Sequence, residues 1–336
     1  MDANLDELSA AQALGLFEDW IRLDAASGYP SPRTIQSYVE AMAQFVSWMV
    51  SRELRFADLR EEDVKIYRST LMEHNAVGTV ARKLVAIRRF FDMAEARGYV
   101  VRNPARRVRP PRDLTDKAER VKYLTRAELE RVLSLPAECP DPRKAARDRL
   151  ILSLMAIHGL RTMEVSGLNV SDHDPAVYDH GAIRVYGKGR KTRHAILVGK
   201  TAEMLGLWLQ VRAGLECADS ALVVTLHTGV RDGEDPHHRI SRRSIRALVD
   251  GYLSTAGAKR PGVSCHSLRH SFATHALAEG ARLVDISAAL GHAELTTTMV
   301  YAKVLDRDKH NPARVLERML SGEAHVDAGP EEAGWL

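Results

Sequence analysis

The chain has little cysteine: its 336 residues include only Cys139, Cys217 and Cys265, far apart and never as Cys-x-x-Cys. That excludes a disulfide framework and a cysteine zinc site, and suits a reducing compartment. It also lacks a long apolar run. The most apolar stretch, 150–160, is interrupted by Ser153 and His158, and residues 1–7 carry acids where a signal peptide would be basic and then apolar. Neither export nor a bilayer span is expected, and the expected location is cytoplasmic. Glycine (22) and proline (13) are few beside 45% hydrophobic and 27% charged residues, a composition that excludes a disordered chain. The length favours two domains over one. Net charge is small as well: 48 Lys+Arg against 44 Asp+Glu leaves +4, which points to a polyanionic partner only if the charges cluster. There is no internal repeat, no Gly-x-x-x-x-Gly-Lys-Ser/Thr loop and no paired-carboxylate motif, so neither nucleotide nor metal is expected as a cofactor.

The charges do cluster. From Ala81 to Arg112 there are ten Lys or Arg against Asp92 and Glu95, a local surplus twice that of the whole chain. The run ends in Arg106-Arg107-Val108-Arg109-Pro110-Pro111-Arg112, which cannot continue a helix. A solvated helix face normally interleaves both signs, so this stretch is read as a phosphate-tracking surface and linker. Arg82, Lys83, Arg88, Arg89, Arg106, Arg107, Arg109 and Arg112 are its candidate DNA contacts.

Residues 8–108 read as a helical domain. Ser31-Pro32 starts one helix, on which Ile35, Tyr38, Val39, Met42, Phe45 and Val46 recur at helical spacing. A second helix is expected near 59–74, and a third from Gly78, with Val80, Leu84, Ile87, Phe90 and Phe91 on one side and Gly98 as terminator. A basic linker, 109–122, precedes a second domain, 123–322, and an acidic tail, 323–336. In that second domain Thr125 is a candidate N-cap and 145–157 a strongly apolar helix. Segments 183–186 and 192–198 alternate at period two around Gly187-Lys188-Gly189-Arg190, a β-hairpin pattern with a basic tip. Helices are expected again at 201–211, 241–253, 266–277, 283–290, 295–301 and 312–320, making the chain mainly α with a small β-sheet.

Four segments of the second domain carry groups suited to a phosphodiester: Arg161, Lys188, His266 with Arg269, and His292 with Tyr301. Each alone is ordinary, since an Arg after an apolar helix is usually a surface ion pair and a hairpin Lys is usually solvated. Their order is not ordinary. Gly159-Leu160-Arg161-x-x-Glu164, Gly187-Lys188-Gly189, His266-x-Leu268-Arg269-His270 and Leu290-Gly291-His292 are followed, nine residues after His292, by Tyr301. Thr34, Tyr38 and Phe45 open the first domain, and Asn103-Pro104-Ala105 closes it. On these residues, spanning about 10–320, the chain resembles the tyrosine recombinases, the phage integrase and Xer-type site-specific DNA recombinases.

The resemblance implies a helical SAM-like core-binding domain followed by a mixed α/β catalytic domain. It also implies strand cleavage through a covalent 3′-phosphotyrosine, with no cofactor and no metal. The chemistry fits the residue types. Cleavage builds charge on the non-bridging oxygens, which the forked guanidiniums of Arg161 and Arg269 are suited to clamp, with His266 and His292 adding hydrogen bonds. Tyr301, the nucleophile, must lose a proton, and His266 is a reasonable base. The 5′-hydroxyl leaving group needs an acid. The resemblance assigns that role to Lys188, with Lys191 as the alternative and Arg190 and Lys191 as further DNA contacts. Glu164 would orient an arginine, and His270 is expected to bond a backbone group rather than to act in catalysis.

Double-stranded DNA with a short inverted-repeat core site, a homotetramer and accessory proteins are the partners implied. Segment 309–320 is a candidate for exchange between subunits. The short stretch before the first helix leaves no room for an arm-binding domain, which favours a simple recombinase. The rivals are a type IB topoisomerase or telomere resolvase, a binding-only protein, and a metal hydrolase using His266, His270, His275 and His237-His238. Arg269 amid those histidines argues against the last.

Overall fold

The computed structural model describes residues 9–23, 30–116, 118–187, 191–215, 217, 219–226, 237–304 and 312–321. The chain divides into two compact units, residues 1–114 and 115–336.

In the first unit, helices α1 (Ala10–Leu23), α2 (Pro32–Val50), α3 (Glu61–His74) and α4 (Val77–Ala96) bury their apolar stripes against one another. Ser31 caps α2: its hydroxyl accepts the Thr34 N–H at 3.2 Å, and Pro32 fills the first helical position, where no N–H is needed. Ile35, Met42, Phe45, Val46 and Met49 then face inward at helical spacing, and Phe45 meets Tyr67 and Phe91 edge to face. Beyond α4, Gly98 takes a φ of +74°, a turn open to glycine without strain. The basic run that follows is fastened to this unit. Ala105 and Val108 are buried in its core, Arg88 donates to the carbonyls of both, and Arg68 donates to the carbonyl of Arg109. Buried Asn103 secures the turn through the Arg88 carbonyl, Asp92 and the Ala105 N–H.

The second unit contains α5 (Arg126–Ser134), α6 (Pro142–Ala156) and α7 (Thr162–Gly167), then strands β1 (His173–Asp174), β2 (Ala182–Tyr186) and β3 (Thr192–Ile196). Helices α8 (Gly199–Ala213), α9 (Arg242–Thr255), α10 (Cys265–Ala278), α11 (Leu283–Leu290), α12 (Met299–Val304) and α13 (Pro312–Ser321) follow. Thr125 and Glu128 form a reciprocal cap on α5, as the sequence suggests. The second half of α6, from Leu150 to Ala156, is buried on every side in the core, whereas Arg143, Lys144, Arg147 and Arg149 keep its first half polar, so the apolar helix expected from residue 145 is apolar only from Leu150. Trp208 of α8 shares this core, and its indole N–H donates to the Leu222 carbonyl. The sheet is antiparallel in the order β1-β2-β3, with Ile183 opposite Ala195 and Val185 opposite Arg193. The alternation in β2 and β3 is the hairpin read from sequence. Strand β1, only two residues long, is too short to leave a periodic trace.

One expected helix is corrected. Segment 295–301 splits into a 3₁₀ turn, Leu295–Thr297, and α12. The run Thr296-Thr297-Thr298 is β-branched and resists the helix, and fully buried Thr298 is committed to His292 through its hydroxyl.

His158, in the turn after α6, is buried and its Nε2 has no hydrogen-bond partner among the described residues. Burial pushes its pKa down from 6.5 to about 4, against a backbone hydrogen bond with Ile196 that acts the other way. The folded state therefore refuses a proton that the unfolded chain takes up near pH 6.5, so stability is complete above that value and falls towards pH 4. The melting temperature should drop across this window, and the slope should be shallower in a His158→Leu variant.

Candidate active site

The site is built where two helices end. The turn after α6 contains Gly159, with φ of +63°, and α11 terminates at Gly291, also with φ of +63°. The positions are closely packed as well as left-handed. A Cβ on Gly159 would stand 2.7 Å from the Phe272 ring, and one on Gly291 would stand 3.2 Å from the Arg193 side chain. The last carbonyls of α11, orphaned by the end of the helix, point at cations: Ala289 accepts from Arg193 Nε at 2.9 Å, and Leu290 accepts from Arg269 Nη2 at 2.6 Å and Arg161 Nη1 at 3.4 Å. Arg269 also donates to the Gly159 carbonyl at 2.5 Å, so it bridges the two helix ends.

Glu164, on the first turn of α7 and 1% exposed at its side chain, sits among these arginines. Its Oε2 accepts the Arg161 backbone N–H at 2.8 Å and Arg193 Nη2 at 2.9 Å, and its Oε1 accepts Arg161 Nη1 at 2.9 Å and Arg193 Nη1 at 3.0 Å. Burial alone would raise its pKa, but these donors and their charges outweigh it and hold the carboxyl below the usual range. Arg161 keeps 28% of its side chain exposed and spends only Nη1 on the protein, leaving Nε and Nη2 without a hydrogen bond among the described residues. Arg269 is only 3% exposed. Burial and neighbouring Arg161 lower its pKa to about 9, which still leaves it charged at neutral pH.

The imidazoles divide into distinct settings. Arg269 Nη2 lies 3.1 Å from His292 Nε2, and since Arg can only donate, Nε2 is the bare nitrogen and Nδ1–H donates to Thr298 Oγ1 at 2.8 Å. Burial, reinforced by Arg269 and Arg161, pushes the His292 pKa down to about 4. His270 differs from the sequence expectation: its Nδ1 lies 3.0 Å from the Tyr301 hydroxyl rather than on a backbone group. Burial, and then His266 and Arg269, take its pKa to about 4 as well. Its helical position, with Tyr301 31 residues later, gave sequence reading no means of finding this contact. His266 is exposed at the start of α10, with a pKa lowered by burial of its ring and by Arg269. Tyr301 is 3% exposed, and its phenol is raised by burial against the opposing pull of Arg269 and Arg161.

Thus Arg161, Glu164, Arg269, His292 and Tyr301 come together from four helices, with His266 and His270 on α10. Lys188 and Arg190 lie outside the described residues; Lys191 is exposed, and its carbonyl accepts the Gly187 N–H at the base of the hairpin. Arg193, the second residue of β3, is offered by the sequence only as one more cation of the hairpin beside Arg190 and Lys191; the structure sets it against Glu164. The histidines of the metal rival are used elsewhere: His275 meets the Leu124 carbonyl and His237 that of Thr225. No group of three or more His, Cys, Asp or Glu able to hold a metal occurs among the described residues.

In the first unit, Arg82, Arg89, Arg107, Arg109 and Arg112 are exposed, whereas Lys83 bonds Asn75 and Arg88 is spent on backbone carbonyls. Arg106 pairs with Glu95 and Asp92. No described helix is long and apolar enough to cross a membrane.

Comparison with known proteins agrees with this architecture. Residues 122–308 match the phage integrase family, and residues 16–99 match the phage integrase N-terminal SAM-like domain. The chain is 30% identical to the tyrosine recombinase XerC of Herpetosiphon aurantiacus over 81% of this chain and 84% of that one. Against XerC of Thermodesulfovibrio yellowstonii the identity is 32% over 82% and 86%. The fold is similar to that of the XerH site-specific recombinase bound to palindromic difH substrate, with a TM-score of 0.75 and 18% identity over 94% of this chain and 100% of that one. It is also similar to a λ integrase fragment dimer bound to a COC′ core site, with a TM-score of 0.62 and 15% identity over 86% and 97%. With the arginine cluster, the buried tyrosine and both domains matched, the chain belongs to the phage integrase family and is a tyrosine recombinase of the Xer-like kind.

Proposed function

We infer that this recombinase cuts and rejoins double-stranded DNA at short inverted-repeat core sites, through a 3′-phosphotyrosine on Tyr301. The observation that carries the reading is the open edge of Arg161 beside Arg269 and a tyrosine held in hydrogen-bond reach of a neutral imidazole. The Nε and Nη2 of Arg161, which carry no bond to the described residues, supply a forked clamp for the non-bridging oxygens, and Arg269, held by the Gly159 and Leu290 carbonyls, supplies fixed positive charge without reorganisation. His292 holds Arg269 in place, and exposed His266 donates to the same phosphate.

As the Tyr301 oxygen attacks phosphorus, its proton passes to His270 Nδ1, and the P–O5′ bond breaks. The departing 5′-oxygen takes a proton from Lys188, or from Lys191 if the tip is arranged otherwise. A partner strand's 5′-hydroxyl then gives its proton to the same lysine and attacks phosphorus, the bond from phosphorus to the Tyr301 oxygen breaks, and the tyrosine recovers its proton from His270. One phosphate ester replaces another, so bond energy is retained and no cofactor is consumed. Exposed arginines of the first unit, Arg82, Arg89, Arg107, Arg109 and Arg112, supply backbone contacts with DNA. A homotetramer working in the cytoplasm, with segment 309–320 passed between subunits and accessory proteins setting direction, completes the reading. The XerH structure on a palindromic difH substrate supports the kind of site proposed.

Covalent capture tests this. Wild-type protein mixed with fragmented, nicked DNA of its source organism and then denatured should yield protein-linked ends at recurrent sequences, and Tyr301→Phe should yield none. Adducts without sequence preference would indicate a topoisomerase, and adducts persisting in the variant would rule out Tyr301. Without DNA, the phenolate absorbance of wild type minus Tyr301→Phe should appear only above the ordinary tyrosine value of 10.0, because burial outweighs the two arginines. Ionisation below that value would mean the phenol is already activated before DNA binds.

A further inference from the structure

All three guanidinium nitrogens of Arg193 make a hydrogen bond within the protein. Its Nε donates to the Ala289 carbonyl, and its Nη1 and Nη2 donate to the two oxygens of Glu164 at 3.0 and 2.9 Å. Only 13% of its side chain is exposed, and its stem packs over Gly291, where no side chain stands between them. With all three nitrogens bonded within the protein, its fork is directed at Glu164. Arg161 is the opposite case: it shares Glu164 with Arg193 yet uses only Nη1.

Two guanidiniums therefore divide one buried carboxylate. Glu164 is almost wholly desolvated, and an ionised carboxylate in that setting must fill its lone pairs from its neighbours. Arg193 supplies two of the four donors it receives, and Arg161 the other two, one from backbone and one from side chain. Loss of Arg193 vacates two lone pairs on a buried carboxylate that already bonds Arg161, whose unused donors, Nε and Nη2, are the ones the clamp needs.

We propose that Arg193 is a positioning residue for strand cleavage: by satisfying Glu164 from the β3 side, it keeps the outer edge of Arg161 turned to the scissile phosphate. Because β3 is the strand leaving the Gly187-Lys188-Gly189 tip, the same contact ties the hairpin to the ends of α7 and α11. The inference rests on the cleavage reading above, since the phosphate is the one proposed there.

The test uses full-length protein and a nicked oligonucleotide carrying a site recovered by covalent capture, with either a normal or a methylphosphonate group at the scissile position. Replacing a charged oxygen by methyl removes the charge that Arg161 must neutralise. Single-turnover cleavage of the normal substrate should fall about 100-fold in Arg193→Met, the scale of a misplaced reacting group, with DNA affinity unchanged. Arg193→Lys keeps the charge but not the fork, so it should fall between. If Arg193→Met folds poorly by melting temperature, Arg193→Lys carries the comparison. On methylphosphonate DNA the defect should shrink towards wild type, as it should for Arg161→Ala. An unimpaired Arg193→Met, or an equal loss on both substrates, overturns the inference while leaving the cleavage reading intact. Wild type that forms no adduct at all overturns both.

Discussion

Three guanidiniums crowd around one buried carboxylate that bonds only two of them, and the surrounding backbone compensates the third. Arg161, Arg193 and Arg269 repel one another, and Glu164 cancels only one charge. The remaining compensation comes from backbone. The carbonyls of Gly159, Ala289 and Leu290 lie at the ends of α6 and α11, where helical hydrogen bonding stops and the dipole is negative. The two left-handed glycines, Gly159 in the turn after α6 and Gly291 at the end of α11, stand at the points where those carbonyls meet the arginines. A positively charged, partly desolvated site is thus held by helix termini and one acid.

The same constraint orders the rest of the site. Arg269, fixed by two carbonyls, in turn fixes the tautomer of His292, and His292 then holds Thr298 at the end of the 3₁₀ turn that introduces α12. Tyr301 stands at the far end of this chain, its phenol against His270 and within the field of the arginines. The positive field of the arginines is therefore also part of what sets the state of the Tyr301 phenol, pulling its pKa down against a burial that raises it.

The first unit follows simpler physics. Its helices are held by an aromatic core in which Phe17, Phe45, Phe90 and Phe91 are fully buried, and its basic surface follows the last helix and the turn after it. Part of that basic stretch serves the fold: Arg88, together with Arg68 of α3, braces the 105–109 segment, and Arg106 pairs with acids on α4. Charge counting alone treats these as equivalent to Arg107 or Arg112, because a sequence shows how many charges a segment has and not which are already satisfied.

Local pattern determined much of this protein. Helical spacing of Ile35, Met42 and Phe45, the Thr125 cap, the alternation around Gly187 and the ordered boxes from Gly159 to Tyr301 were all legible, because each depends on neighbours within a few residues or on a spacing preserved along the chain. What only the tertiary structure decided are the contacts between distant segments: His270 on Tyr301, His292 on Arg269, and Arg193 sharing Glu164 with Arg161. None of these leaves a local signature. Hydrogen-bond geometry and desolvation depend on which chain segments pack together, so a residue such as Arg193 is one of several basic residues in a hairpin until the fold sets it against a buried carboxylate.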